Sequence, residues 1–283
     1  MYPLILAFHK IIPDEYTTHP YYWKDICTPY STFVSLLESL YQENFAFISL
    51  QELEYAQINP HERTVLLTFD DGYYNNVEYA YPLLKAENIP FVMAINGKCI
   101  ENSTWQWFDK IWYYGIQEHK TEIERIKTIQ TLKYDLPTLQ RWLSTHPKPE
   151  YYNSIQRIFF DIATVQELNS IENVSFVSHT YSHYILTALS DVMLETEIRK
   201  NIDFALKNHL SLQSSYFVLP NGTKKDFDKR TIDILTKNEV KNIFTMLPYI
   251  KQEGLLARYT PYHNTWARER KRYFWQKFLC MWR

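Results

Sequence analysis

Short apolar runs alternate with helical patterns along most of this sequence, and this alternation constrains the fold more than any other feature. In the first half, the apolar runs at residues 4–8, 45–48, 65–69 and 91–95 predict strands. In the second half, runs at 174–177, 216–219 and 243–246 predict three more, with helical patterns at 191–207 and 231–237 between them. Such alternation is typical of an α/β fold, either a parallel sheet or a β/α barrel.

Residues from about 98 to 170 interrupt this rhythm. The stretch contains several helical patterns, few strand candidates and the breaker Pro147-Lys148-Pro149. We therefore predict a helical insertion on the sheet or barrel. A chain of 283 residues, 46% of them hydrophobic, is enough for one large domain with a substantial core. We expect a single barrel domain over residues 1–265 and a basic, aromatic C-terminal helix over 266–283.

Composition excludes several classes of protein. The net charge of −2 gives no indication of a nucleic-acid partner. Cys27, Cys99 and Cys280 are odd in number and widely spaced, which argues against a disulfide framework or a cysteine-ligated zinc site. The first apolar run is too short for a signal peptide, and no stretch reaches the roughly 18 apolar residues of a spanning helix. These features predict a cytoplasmic protein.

The first segment with chemical potential is TFDDGY at residues 68–73, which directly follows a predicted buried strand. Asp70 and Asp71 are adjacent carboxylates whose charges repel, and burial raises the cost further. One of the pair is most easily tolerated if it meets a cation. The alternative is a solvated Asp-Asp-Gly turn that simply ends the strand.

The second segment is HTYSH, which follows the predicted strand at 174–177. Histidines four residues apart, such as His179 and His183, can share one helical face and converge on a divalent ion. The alternative is two unrelated core or surface histidines. Two histidines and one aspartate would form a metal site that leaves positions open for water and substrate. Both segments follow predicted strands, at the end where β/α barrels place their active sites.

The order TFDDG and then HTYSH resembles the polysaccharide deacetylase family, the NodB-homology domain of carbohydrate esterase family 4. Further similar segments are LAFHK at residues 6–10, YPLL at 81–84, FVLPNG at 217–222 and LAR at 256–258. The resemblance covers residues 1–96 and 174–260, and it leaves the insertion and the C-terminal tail largely uncovered.

This resemblance implies a distorted (β/α) barrel that hydrolyses an N-acetyl, or less readily an O-acetyl, group on a sugar. By position in the motifs, Asp70 would be the general base, and Asp71, His179 and His183 would bind the metal. The implied ion is Zn²⁺, with Co²⁺, Ni²⁺ or Mn²⁺ as alternatives.

The predicted substrate contacts are residues near the first motif and in the segment that resembles the family's third motif. They are Tyr73, Tyr216, Pro220, Asn221 and Gly222.

The sequence departs from the family pattern at two places. The third motif usually carries an arginine that orients the catalytic aspartate, whereas here the stretch Phe217-Val218-Leu219 is apolar. The late Leu-His motif that usually supplies the general acid is also not clear. His263 and His9 are the candidates for this proton donor, although either can be a structural histidine.

The expected partner is an acetylated sugar or glycan precursor, either free or linked to a lipid. Residues 266–283 are rich in Arg, Lys and aromatic side chains, so they would suit the inner face of an anionic membrane or simply pack on the barrel. Two other functions stay open: a related amidohydrolase that acts on a non-sugar amide, and a non-catalytic glycan-binding protein.

Overall fold

The computed structural model describes residues 3–53, 63–149, 160–247 and 252–261. The strands in these ranges, numbered β1 to β10 in chain order, are Leu4–Phe8, Lys10–Ile12, Cys27–Pro29, Ala46–Phe47, Thr64–Phe69, Phe91–Ile95, Val174–Ser178, Leu212–Val218, Asn242–Thr245 and Leu255–Ala257. The α-helices, numbered α1 to α9, are Tyr30–Gln42, Tyr81–Ala86, Gly97–Glu101, Trp107–Gln117, Glu122–Leu132, Leu136–Thr145, Ile162–Asn169, Asp191–Lys207 and Lys229–Lys237. Short 3-10 turns lie at Asp14–Thr18 and Leu186–Ala188, and a π-helical turn at Asn76–Ala80 leads into α2.

The main sheet is parallel and nearly closes into a barrel. Its strand order is β1-β5-β6-β7-β8-β9-β10, and β4 also pairs with β5. Beyond β10, the amide of Tyr259 donates to the carbonyl of Ile5 over 2.9 Å, and the amide of Ala7 donates to the carbonyl of Tyr259 over 2.8 Å. These bonds bring the end of the sheet beside its first strand, which confirms the predicted distorted (β/α) barrel.

Both faces of the sheet are buried, which explains why its strands read as nearly continuous apolar runs. One set of side chains packs in the barrel interior, and it includes Ile5, Leu66, Val177 and Phe244. The alternate residues of the same strands, such as Leu67, pack outward against the helices. This period of two follows from the pleat of each strand.

The connection from β6 to β7 contains the stretch predicted as a helical insertion. Residues 97–149 and 160–170 of the described chain form α3 to α7 and no strand. Three of these helices, α5, α6 and α7, begin at residues whose side chains cap them. Thr121, for example, accepts a bond from the amide of Glu124, whose carboxylate accepts one from the amide of Thr121. In its described residues, the crossover between these two neighbouring strands therefore contains helices and no strand.

Other predicted elements differ in extent from the observed ones. The strand predicted at 45–48 is reduced to Ala46–Phe47, and the strand predicted at 216–219 begins earlier, at Leu212. Ser49 and Glu52 form the reciprocal bonds of a capping box, which is typical of the start of a helix. Residues 54–62, which follow it, lie outside the described residues. Within the described ranges, no helix has both the length and the apolar character that crossing a bilayer requires.

Candidate metal centre and active site

The two carboxylates of the first motif lie where β5 ends, and the backbone directs them apart. The amide of Asp70 still donates to the carbonyl of Phe8 over 2.8 Å, as if continuing the sheet. Asp71 and Gly72 then adopt φ values of 71° and 77°, a left-handed conformation that glycine tolerates well and aspartate tolerates better than most residues. This sharp turn lets the adjacent carboxylates meet different partners.

The histidine motif follows β7 as a loop, not as the helical turn that its spacing suggested. The amide of His179 donates to the carbonyl of Ile95 over 3.2 Å, and the chain then bends, with φ of 64° at Thr180 and 56° at His183. The expectation of a shared helical face was therefore wrong, because these left-handed residues interrupt any helix. The loop nevertheless brings both imidazoles to the same point.

Asp71, His179 and His183 converge in the barrel. The Asp71 Oδ1 atom lies 3.4 Å from Nε2 of His183 and 3.7 Å from Nε2 of His179, and all three residues are buried. Each offers one ligand atom within 4.8 Å of the others. Donors bound tetrahedrally at about 2.0–2.1 Å from a zinc ion lie about 3.3 Å apart. The cluster therefore has nearly the dimensions of a metal site.

The hydrogen bonds show which atoms are available to an ion. The Nδ1 atom of His179 lies 2.8 Å from the carbonyl oxygen of Val218, which can only accept, so Nδ1 carries the proton and Nε2 presents its lone pair. Nε2 of His179, Nδ1 of His183 and Oδ2 of Asp71 are buried without a hydrogen-bond partner. Orphaned buried polar atoms are rare, and the free Nε2 of His179 faces Oδ1 of Asp71, where an ion could use its lone pair.

The charge states of the three side chains also fit a cation. Burial lowers the pKa of His179 and lowers that of His183 well below the ordinary value, so both imidazoles are neutral, as metal ligands must be. Burial, and then the charge of Asp70, raise the pKa of Asp71 well above its ordinary value. A bound cation would offset the cost of keeping this carboxylate ionised. The residues present therefore fit a divalent ion.

Asp70 is held by an arginine from the far end of the chain. Arg258 donates from Nη1 to Oδ1 of Asp70 over 2.7 Å and from Nη2 to Oδ2 over 2.8 Å, and Nη1 also lies 3.1 Å from Oγ1 of Thr68. Burial works to raise the pKa of Asp70, but Arg258 and then His179 outweigh it and hold this pKa well below the usual range. The arginine that the third motif lacks is thus provided just after β10.

His9 lies at the end of β1, beside Asp70. Its Nε2 atom is 3.9 Å from Oδ2 of Asp70, and its side chain is 20% exposed. Burial lowers the pKa of His9 to about 4, and the charge of Asp70 opposes that effect. Of the two predicted proton donors, His9 is therefore in place. His263 lies outside the described residues, as does the tail at 266–283.

A cavity of about 330 Å³ opens onto this cluster. The residues that line it include Asp70, Asp71, His183 and Arg258 of the candidate site, together with His9. Its remaining walls are built by residues from several loops and from the helical insertion: Trp23, Asp25, Ile26, Trp107, Phe108, Ile126, Ile129, Gln130, Lys133, Asn221, Thr223, Met246 and Thr260.

The predicted substrate-binding residues are placed unevenly. Asn221 is exposed and lines the cavity. Pro220 and Gly222 flank it but are buried and do not line the cavity. Tyr73 is fully buried, with its hydroxyl donating to Asp109 over 2.7 Å, and Tyr216 packs on Phe244 in the barrel interior. Direct substrate contact by Tyr73 or Tyr216 is therefore not supported.

Sequence reasoning missed the aromatic residues that do line the cavity. These are Trp23, Trp107 and Phe108, and two of them come from the helical insertion. The pattern WQWF at residues 105–108 offered a signal, since three of its four residues are aromatic and it lies in the predicted helical insertion. Nothing in the sequence around Trp107 and Phe108, however, indicated that this part of the insertion packs against the opening of the barrel.

A buried Asp-His-His cluster that could hold a metal ion, with a second carboxylate beside it at the carboxyl end of a parallel barrel, is an arrangement typical of metal-dependent hydrolases. The model of the polysaccharide deacetylase family matches residues 57–243. The chain therefore belongs to the polysaccharide deacetylase family, whose members are hydrolases that remove acetyl groups from sugars. None of the curated protein sequences matches the chain.

Solved structures of similar fold span nearly the whole chain. PplD, a deacetylase from Streptococcus pyogenes in complex with acetate, is 18% identical with a TM-score of 0.63, and the match covers 95% of this chain and 96% of that chain. IcaB from Ammonifex degensii is 16% identical with a TM-score of 0.65 and 97% coverage of both chains. A de-N-acetylase from Aggregatibacter actinomycetemcomitans is 17% identical with a TM-score of 0.59, covering 90% of this chain and 93% of that chain.

Proposed function

We propose that this deacetylase depends on a divalent metal ion, most plausibly Zn²⁺, and removes an N-acetyl group from a glycan. Asp71, His179 and His183 would hold the ion, with Asp70 as general base and His9 as proton donor. The observation that carries the proposal is the convergence of one buried ligand atom each from Asp71, His179 and His183, all within 4.8 Å of one another, beside the carboxylate of Asp70. Co²⁺, Ni²⁺ and Mn²⁺ suit the same donor set. The choice of zinc is therefore a prediction about which ion the purified protein contains.

The geometry supports a short route for the proton. A divalent ion, when bound, makes water easier to deprotonate and polarises the acetyl carbonyl. Oδ2 of Asp70 accepts the proton of the attacking water as the new carbon–oxygen bond forms. The proton then passes through one bridging water to Nε2 of His9, which lies 3.9 Å away, and from there to the leaving nitrogen as the carbon–nitrogen bond breaks. Acetic acid and a free amine result, and the acid releases its remaining proton to solvent as acetate.

The surroundings of Asp70 and His9 favour this direction of transfer. Although burial works against it, Arg258 holds the pKa of Asp70 well below its usual range. A protonated Asp70 therefore gives up its proton readily, and His9 lies beside it to receive that proton. His9 itself is neutral before the reaction, which suits a group that receives a proton during each turnover.

The cavity walls support a sugar as the substrate. Trp23, Trp107 and Phe108 offer flat apolar surfaces, whereas Gln130 and Asn221 offer hydrogen-bonding groups. An acetylated pyranose presents both kinds of surface. One of the proteins of similar fold is itself described as a de-N-acetylase, which is the activity proposed here.

The first experiment tests metal dependence and reaction type together. Elemental analysis of the purified protein should find about one equivalent of a divalent metal, and acetate release from N-acetylated glycans should stop with chelator and return with Zn²⁺. A matched panel contains O-acetylated glycans and simple non-sugar amides. Faster release from the amides would replace the sugar proposal with a general amidohydrolase, and full activity in chelator would refute metal dependence.

Two variants separate metal binding from catalysis. Asp70→Asn should abolish turnover and keep the metal, because the amide cannot accept the water proton. His179→Ala should lose the metal itself. Turnover in Asp70→Asn equal to that of the unaltered protein would remove the assigned base.

The proton donor is tested by comparing His9→Gln with His263→Gln. We expect His9→Gln to lower kcat by about 10²–10⁴-fold, the usual contribution of a positioned acid or base, with the metal content unchanged. His263→Gln is the matched control, and a loss of kcat confined to it would assign the role to His263 instead.

The basic, aromatic tail at residues 266–283 relates the proposed function to the place where the substrate is found. A cytoplasmic enzyme acting on a lipid-linked precursor would use the basic, aromatic residues 266–283 at the inner face of the membrane. Flotation with anionic and neutral liposomes, comparing the full chain with a chain ending at residue 265, tests this. Equal binding by both chains would remove the membrane contact.

A further inference from the structure

Four consecutive residues of the helical insertion meet the metal-centre loops from one side. Gln106 approaches Asp71, the indole Nε1 of Trp107 donates to the carbonyl of His183 over 2.9 Å, and the ring of Phe108 lies edge-on to the His183 ring at 5.0 Å. Asp109 accepts from Tyr73, two residues beyond Asp71. This segment, Gln106 to Asp109, therefore contacts both loops that carry the candidate ligands.

The amide of Gln106 has the most specific of these contacts. Gln106 is 1% exposed, and its Nε2 atom donates to Oδ1 of Asn96 over 2.8 Å and lies 3.4 Å from Oδ1 of Asp71. That Asp71 oxygen is the one facing both imidazoles. The two protons of a single side-chain amide thus serve a ligand carboxylate and a second buried amide.

Asn96 extends this bridge to the other loop. It lies directly after β6, is fully buried, and donates through Nδ2 to the carbonyls of His179 and Thr180, the latter over 2.9 Å. Because backbone carbonyls only accept, the Nδ2 atom of Asn96 must face them, which leaves its Oδ1 to accept from Gln106. The orientation of both amides is therefore fixed by their partners.

We propose that Gln106 is a positioning residue of the metal centre. Its amide joins the carboxylate of Asp71 to Asn96 and, through Asn96, to the backbone of His179. This inference rests on the proposed function only in that an ion binds Asp71, His179 and His183. It gives the helical insertion a role in the chemistry, since it is the insertion that places Gln106 over the end of the barrel.

The physical basis is the orientation of a carboxylate that has few other constraints. Oδ2 of Asp71 has no hydrogen-bond partner, so Gln106 is the side chain that donates to this carboxylate among the described hydrogen bonds. Groups that orient metal ligands in this way usually contribute 10–100-fold to metal affinity. Removing the donor should leave the ligands in place but lower their affinity for the ion by about that factor.

The test compares Gln106→Met with the unaltered protein. Methionine keeps the length of the side chain and removes both N–H donors. The zinc dissociation constant, measured by competition with a chromophoric chelator, should rise by about 10–100-fold. The visible absorption of the Co²⁺-loaded protein should also change, because that spectrum reports ligand geometry. Gln106→Ala gives a second version of the test if the methionine variant does not fold.

Leu139→Ala is the matched control for lost stability. Leu139 is 1% exposed in α6 of the same insertion, and it does not line the cavity. The Leu139→Ala variant should have a lower melting temperature, and its zinc dissociation constant and Co²⁺ spectrum should equal those of the unaltered protein. An equal loss of zinc affinity in Leu139→Ala and Gln106→Met would reduce Gln106 to a structural role.

The result also separates this inference from the proposed function. If the unaltered protein binds no divalent ion, the proposed metal centre is wrong. If it binds zinc tightly and the Gln106 variants bind equally well with an unchanged Co²⁺ spectrum, the metal centre stands and the role assigned to Gln106 is refuted.

Discussion

Replacing Arg258 with methionine would remove the guanidinium that donates two hydrogen bonds to the carboxylate of Asp70. Both residues are 2% exposed, and two short charge-assisted bonds join them, at 2.7 and 2.8 Å. Arg258→Met keeps an unbranched side chain in the cavity wall but leaves the Asp70 carboxylate buried next to Asp71. The variant therefore isolates the cost of an uncompensated buried charge.

The expected magnitude is large. Breaking a buried ion pair by removing one partner costs about 3–5 kcal/mol, a large share of the roughly 5–15 kcal/mol that stabilise a typical domain. The double variant Asp70→Asn/Arg258→Met carries neither charge, so it should recover at least about 2 kcal/mol relative to Arg258→Met. Such recovery is a coupling energy, and it cannot arise from the lost packing of the arginine stem alone.

The pH dependence has a definite sign. The pKa of Asp70 in the folded protein lies below the unfolded value of about 3.9, so the pair stabilises fully above that value and its contribution is lost as pH falls through the folded pKa. In Arg258→Met the folded pKa of Asp70 should instead lie above 3.9. The loss of unfolding free energy in this variant should therefore become smaller between pH 7 and pH 5, because the Asp70 carboxyl, now without its arginine partner, takes up a proton.

Urea unfolding followed by tryptophan fluorescence measures these free energies, with chelator present so that metal binding does not contribute. Asp70→Asn alone completes the cycle. A deficit below about 1 kcal/mol in Arg258→Met would refute the reasoning, because it would mean that the pair is not buried in solution. Strict additivity of the two single variants, or a deficit that does not change with pH, would refute it as well.

Three further predictions follow from the structure. Gly97→Ala should lower the melting temperature because its Cβ would lie 2.6 Å from the ring of Phe204, and an unchanged melting temperature would contradict this packing. Zinc at about 100 times its dissociation constant should stabilise the protein by about 2.7 kcal/mol, and a melting temperature unmoved by zinc would contradict the metal centre. Since the folded pKa of His9 is about 4, below the ordinary 6.5, stability should fall as pH drops from 7 to 5. His9→Gln should remove about 1–2 kcal/mol of that fall in urea titrations, and an unchanged pH profile would show that His9 is not held neutral.

Much of the barrel could be predicted from sequence because its strands are buried on both faces. A strand such as Phe91–Ile95 has apolar residues at every position, so its existence and bounds follow from the apolar run. The long helix Asp191–Lys207 was also predictable, from its period and from Ser190, which caps it by accepting from the amide of Met193. The strand Ala46–Phe47 was overestimated because Phe45 and Ile48 are buried apolar residues that flank the strand without being part of it.

The candidate metal ligands were predictable for a different reason. Asp71, His179 and His183 are polar residues directly after buried strands, and parallel strands deliver their carboxyl ends to one face. Their spacing was misread as helical, although the conclusion that they converge did not depend on that reading. Convergence came from the strands, and the loop between the histidines only had to be short.

The partners of these residues could not be predicted, because they come from distant parts of the chain. Arg258 lies 188 positions from Asp70, and Gln106 lies in an insertion whose packing no local pattern reveals. Tyr73 and Tyr216 were predicted to contact the substrate, yet both are core residues. A tyrosine next to a motif and a tyrosine in a strand look alike in sequence, and only burial distinguishes them.

The division of charge between Asp70 and Asp71 explains why a divalent ion suits this site better than a second fixed cation. Arg258 neutralises Asp70, while Asp71 faces two imidazoles kept neutral by burial, so these groups together carry one negative charge. A divalent ion would change that total to one positive charge, in a buried place where electrostatic effects are strong. The oxyanion that develops when water attacks an acetyl carbonyl would then be stabilised without any movement of the protein. A lysine or arginine opposite Asp71 would leave the same groups neutral and give that oxyanion no such support.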